Sequence, residues 1–163
     1  DLTALILFLI ASFTDFLDGM LARLLGEESK LGELLDPIAD KIIVAAALIL
    51  LVMDGTIRSY EVIAAIIILT REILVSGLRE FLAEGKIKLP VSNLAKLKTV
   101  LQMVSIALLL SGETGNKIIN FQDYNAQTIG IVLLWLSAAL TLFTGYEYMR
   151  KGIDHAISED NKD

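Results

Sequence analysis

Four aspartates stand where a carboxylate is costly. Asp15 and Asp18 interrupt an apolar run that begins at Leu2, and Asp36 and Asp40 open the run that continues to Met53. Charge inside a membrane-length apolar segment needs a partner or a wet cavity. Positions three or four apart share one helical face, and the rise within each pair is about 4.5–6 Å. Four carboxylates at one place would repel one another or take up protons, and two divalent cations would cancel their charge. Oxygen donors without His or Cys favour Mg²⁺, Mn²⁺ or Ca²⁺ over zinc. Two such ions can clamp a diphosphate and stabilise both the entering and the leaving oxygen of a displacement. Asp36 before Pro37 also fits a helix N-cap followed by proline at the first helical position. That reading leaves Asp15 and Asp18 unexplained. Gly19 and Ala22 lie on the face of Asp15 and Asp18, where small residues admit either a flat ligand or a close helix neighbour.

The elements that must position these residues follow from the apolar blocks. The chain has 163 residues, 55% of them hydrophobic, with a mean hydropathy of +0.64. An ordinary soluble domain is roughly 45–50% apolar even counting glycine. Uncharged stretches cover 2–13, 42–53, 62–70, 100–112 and 126–146. A helix needs about 20 residues to cross a bilayer of about 30 Å. The last stretch reaches that length unaided, and the others do so by including polar residues near one end. The expectation is an all-α integral membrane bundle with five transmembrane helices, over about 1–26, 33–54, 60–84, 92–112 and 125–150. The alternative is a soluble five-helix bundle, but such helices carry a polar stripe and 129–142 has almost none. The loop between the first two helices is short, so they pack antiparallel and their acidic ends meet. Bilayer depth and a phosphate-like substrate together suggest a lipid phosphotransferase.

Lys and Arg set the orientation. Lys30, Lys86, Lys88, Lys96, Lys98, Arg150, Lys151 and Lys162 fall on the side of the 27–31 loop, with Arg23, Lys41 and Arg79 close to it. Only Arg58 and Lys117 fall on the other. The positive-inside rule places the aspartates at the cytoplasmic face. A net charge of -6 argues against a nucleic-acid partner. The absence of Cys excludes disulfide scaffolds and Cys-ligated metals. The chain opens on Asp1 inside an apolar segment, which is expected of a sequence lacking its N-terminal part. Residues 1–157 are expected to form one domain and 158–163 a polar, fraying tail. Trp135, Tyr146 and Tyr148 fit either interfacial anchors or packing within the bundle.

The pattern Asp15-x2-Asp18-Gly19-x2-Ala22-Arg23-x8-Gly32-x3-Asp36-x3-Asp40 fixes eight positions over 26 residues. It resembles the signature of the CDP-alcohol phosphotransferase (phosphatidyltransferase) family. Thr70-Arg71-Glu72-Ile73, Ser76-Gly77-Leu78-Arg79-Glu80 and Lys96-x-Lys98-Thr99-x2-Gln102-Met103 resemble its bacterial phosphatidylglycerophosphate synthase branch. The resemblance implies a multi-pass enzyme of the bacterial inner membrane, homodimeric, with six crossings in the full-length protein. It implies two divalent cations, Mg²⁺ or Mn²⁺, and transfer of a phosphatidyl group from CDP-diacylglycerol to glycerol 3-phosphate with release of CMP. By position, Asp15, Asp18 and Asp36 would hold one metal and Asp15, Asp36 and Asp40 the other. Asp40 would also be the general base. Gly19, Ala22 and Arg23, with Ser29 as a further phosphate contact, would bind the CDP-lipid. The family's first amphipathic helix and first crossing have no counterpart in this sequence.

A phosphate-bearing acceptor fits Arg71, Arg79, Lys96 and Lys98, since Arg grips phosphate with two donors and Lys supplies a point charge. Lys86 and Lys88 fit ordinary topology and anionic-lipid contact, and Lys96 and Lys98 fit either role. Arg71 is the deepest of the four by position. It could pair with Glu61, or less readily with Glu72, because adjacent helix residues do not face each other. Two other functions stay open. One is the same chemistry on another acceptor, as in cardiolipin or phosphatidylinositol-phosphate synthesis. The other is a divalent-cation transporter, which would need a continuous route across the membrane.

Overall fold

The computed structural model describes residues 2–25, 30–84, 93–121 and 124–160; side chains at 15–25, 30–37, 40, 83–84, 120–121, 124, 151 and 154–160 are not among those described. Five helices carry the chain: α1 (Leu2–Leu25), α2 (Lys30–Met53), α3 (Glu61–Glu84), α4 (Asn93–Ile118) and α5 (Ala126–Asp160). The all-α membrane class expected from the apolar blocks is the class observed. Among the described residues, α4 and 126–150 of α5 are long and apolar enough to cross a membrane. In α1 and α2 the apolar stretch is shorter, Leu2–Thr14 and Lys41–Met53, because the aspartates and their neighbouring charges interrupt it. In α3 Arg71 and Glu72 fall mid-helix.

Two boundaries differ from expectation. The fourth helix passes 112, but the backbone breaks there, with Gly112 at φ 55° and ψ -138°. The expected end is therefore a kink. The fifth helix runs on to Asp160, so the polar segment expected to fray after 157 is helical for as far as it is described. Between α4 and α5 lies a two-residue hairpin, β1 (Asn120–Phe121) against β2 (Tyr124–Asn125), with Asn120 opposite Asn125 and Phe121 opposite Tyr124. Asn125 then caps α5: its Oδ1 accepts from the Thr128 amide at 2.9 Å, while Asn116 Oδ1 accepts from the Gln127 amide at 3.0 Å. Two of the helix's otherwise orphaned amides are thereby satisfied.

The described chain divides into two compact units, Asp1–Arg58 with Met103–Val132 and Ser59–Gln102 with Leu133–Asp163. In the first, α1 and α2 contact each other, and Phe8, Leu48 and Leu51 are buried while Leu7, Ile10, Ile42 and Ile49 are exposed. Ser105 of α4 is buried and donates to the Gly130 carbonyl at 2.8 Å. Gly130 allows this closeness, since a Cβ there would lie 2.8 Å from Leu109 Cγ and Cδ2. Gly130→Val should therefore cost about 1–3 kcal/mol through overpacking. It should show as earlier heat inactivation in detergent, with the two KM values of surviving protein unchanged.

The second unit buries polar side chains among its apolar core. Along α5, Ser137, Thr141 and Thr144 are buried while Leu136, Leu142 and Phe143 are exposed; along α3, Arg71 is buried while Ile66 and Ile73 are exposed. Ile68, Val75, Leu134 and Ala138 are buried beside them. Polar groups inside together with large aliphatic ones outside suit an apolar surrounding medium, in which polar groups must find partners within the protein.

Candidate active site

The aspartates of the signature sit on the two helices that contact each other in the first unit. Asp15 and Asp18, with Gly19, Ala22 and Arg23, fall in α1, and Asp36 and Asp40 fall in α2. Their side chains lie outside the described residues, and so does Ser29 altogether. Four residues separate the two helices, and every aspartate offers oxygen donors only. A hard divalent cation suits that donor set.

The second unit holds the basic cluster, with side chains described. Arg71 and Lys98 are 9% and 5% exposed, against the strong tendency of such residues to stay at the surface. Glu72 joins them. Its Oε1 lies 3.5 Å from Arg71 Nη1, and the same oxygen accepts from Lys98 Nζ. The Arg71–Glu72 pairing corrects the expectation from helical spacing. Adjacent residues diverge at Cβ, but two long side chains can curve to a common point, and Lys98 from α4 supplies that point.

The far side of Arg71 faces α5. Nη2 donates to Thr144 Oγ1 at 3.0 Å, and Thr144 in turn donates to the Leu140 carbonyl at 2.9 Å. The guanidinium carbon lies 5.8 Å from the Tyr148 ring centroid, within cation–π range. Gly145 completes the cradle: a Cβ there would stand 3.0 Å from Arg71 Cγ and 3.4 Å from Nε. Among the described residues, Arg71 Nε is buried without a hydrogen-bond partner. Buried polar atoms are seldom left unpaired, so Arg71 retains hydrogen-bonding capacity for a ligand.

Of the four basic residues put forward for the acceptor, the structure thus brings two together. Arg79 and Lys96 are exposed, and among the described residues neither shares an ion pair with the cluster. Arg79→Ala should weaken binding of a phosphate-bearing acceptor by a few-fold, in line with a screened surface charge. An effect on the other substrate alone would remove Arg79 from the acceptor side. Sequence reasoning ranked Glu72 as the weaker partner of Arg71 and missed Thr144 and Tyr148 as parts of the cluster. A signal for α5 was present: Ser137, Thr141, Thr144 and Tyr148 recur at helical spacing through an apolar segment.

Comparison with known proteins covers both units. The family model for CDP-alcohol phosphatidyltransferase matches residues 1–143. A relative from Rickettsia bellii is 44% identical over 145 residues, covering 89% of this chain and 76% of its own. One from Cereibacter sphaeroides is 38% identical, covering 98% and 85%, and one from Bacillus subtilis is 36% identical, covering 92% and 73%. All three carry the name CDP-diacylglycerol–glycerol-3-phosphate 3-phosphatidyltransferase. A match that takes in the aspartate helices and the buried basic cluster alike means that this chain belongs to the CDP-alcohol phosphatidyltransferase family.

Proposed function

We propose that this chain transfers the phosphatidyl group of CDP-diacylglycerol to glycerol 3-phosphate, yielding phosphatidylglycerophosphate and CMP. The relatives' shared name supports the reaction. The observation that carries the choice of acceptor is the buried Arg71–Lys98 pair, two cations held in a low-dielectric setting where a phosphate dianion is the natural counterpart.

In this reading Asp15, Asp18, Asp36 and Asp40 hold two divalent cations, Mg²⁺ or Mn²⁺, which when bound neutralise the diphosphate of the CDP-lipid. Gly19, Ala22, Arg23 and Ser29 line the cytidine diphosphate, and the acyl chains stay in the bilayer. Arg71 and Lys98 grip the acceptor's phosphate, assisted at longer range by Arg79 and Lys96. Asp40 takes the proton from the acceptor's 1-hydroxyl. That oxygen bonds to the phosphorus attached to diacylglycerol as the bond to CMP breaks. Base assistance is typically worth about 10²–10⁴-fold, and positioning of the two substrates supplies much of the rest. The site faces the cytoplasm of the inner membrane, following the Lys/Arg bias, and the working form is a homodimer.

The test is a panel of acceptors offered to full-length protein in lipid–detergent micelles with CDP-diacylglycerol and Mg²⁺. Phosphatidylglycerophosphate formed in step with CMP is the expected result. A preferred product from phosphatidylglycerol, serine or inositol phosphate would replace the acceptor. Ion flux without CDP-lipid turnover would replace the function.

A further inference from the structure

We infer that Glu72 is a positioning residue of the acceptor site, the shared counter-ion that keeps Arg71 and Lys98 side by side while the site awaits its phosphate. The inference rests on the acceptor reading above and goes beyond it, because that reading gives Glu72 no role.

One carboxylate oxygen serves both cations, from Arg71 on the same helix and Lys98 on α4. The Glu72 side chain is 21% exposed, against 11% and 6% for those of Arg71 and Lys98. The acid is therefore the most accessible member of the three. Without it, one guanidinium and one ammonium group would share a desolvated space and repel each other strongly. Arg71 is anchored on its other side by Thr144, Tyr148 and the close approach of Gly145, so it holds its place. Lys98, whose ammonium ends a flexible stem, is the member that this repulsion would turn away from the guanidinium. Loss of the Glu72 charge thus converts a two-pronged phosphate grip into a single prong. With Glu72 present the empty cluster carries one net positive charge, and an arriving phosphate exchanges with the carboxylate for donors that already point to one place.

The experiment uses Glu72→Gln, Glu72→Asp and Lys98→Met in full-length protein. Each is assayed with glycerol 3-phosphate and with glycerol as a phosphate-free acceptor. Glu72→Gln should raise the KM for glycerol 3-phosphate about tenfold, the effect of losing one charge-assisted hydrogen bond. The KM for CDP-diacylglycerol should stay within about twofold, and the preference for glycerol 3-phosphate over glycerol should fall in proportion. Glu72→Asp, which restores the charge, should recover most of the loss. Since Glu72 acts through Lys98, Glu72→Gln should add less than about twofold to the KM of Lys98→Met. If Glu72→Gln alone does not fold, the charge-balanced double variant carries that comparison. Parallel losses for both substrates, equal losses in Gln and Asp, or additive effects with Lys98→Met would overturn the inference. Failure of the unaltered protein to use glycerol 3-phosphate would instead overturn the acceptor reading.

Discussion

Asp15→Asn and Asp36→Asn should each reduce CMP release from CDP-diacylglycerol by at least about 10³-fold, whereas Asp40→Asn should lose turnover while keeping part of its CDP-lipid binding. The asymmetry follows from the proposed division of labour. Asp15 and Asp36 would each touch both cations, so converting either to an amide removes a charged donor from two coordination shells at once. Asn also keeps the size and leaves the helix intact, so the protein should fold and the loss reports on charge. Asp40 would contact one cation and take the acceptor's proton; its amide can still donate an oxygen but cannot accept a proton as a base. Initial rates of CMP release across a Mg²⁺ titration, paired with binding of labelled CDP-lipid, separate the two cases. Near-normal rates in all three variants would remove the aspartates from the chemistry.

Arg71→Ala should lower kcat/KM for glycerol 3-phosphate by about 10²-fold, the most of any basic residue in the second unit. Its burial sets the size of the effect. A guanidinium held by Glu72 and Thr144 and stacked near Tyr148 has already met the cost of ordering, so its contact with phosphate is gained at little further expense. Arg71→Lys should recover only part of the loss. A single ammonium cannot reach Glu72, Thr144 and a ligand together, as a planar fork can. Steady-state kinetics with each substrate varied in turn checks this. A loss confined to the CDP-lipid would move Arg71 to the donor side.

How much of this was legible beforehand differs by residue. Five helices could be read from five apolar blocks, because in a membrane-type chain composition alone nearly dictates the element. The ends were less legible. Gly112 looked like a stop and is a kink, since a helix interrupted by one residue can resume. The helix past 150 was not foreseen because its sequence is polar and the apolar count ends there. The hairpin at Asn120–Phe121 was hidden because two-residue strands have no periodicity to detect. Within the basic cluster, Arg71 announced itself as a charge inside an apolar block. Its adjacent partner Glu72 was weighed but ranked low; its distant one was not legible, since Thr144 is 73 residues away and nothing in a single sequence pairs two such positions. Lys98 and Lys96 looked equivalent, yet helical phase separates them. Lys98, Gln102 and Ser105 fall on one buried face and Lys96 does not.

The 73-residue gap between Arg71 and Thr144 also sets an order of events during synthesis. At roughly 5–20 residues per second, α5 follows Arg71 by roughly 4 to 15 s, and Lys98, 26 residues after Glu72, arrives much sooner. For that interval Arg71 stands in α3 without the Thr144 and Tyr148 contacts that later hold it. Among the described residues, Glu72 is the partner of Arg71 made in the same instant. An acid directly beside the arginine lets the newborn helix carry its own neutralising charge, so the residue that later organises the phosphate grip is also the first counter-ion Arg71 meets.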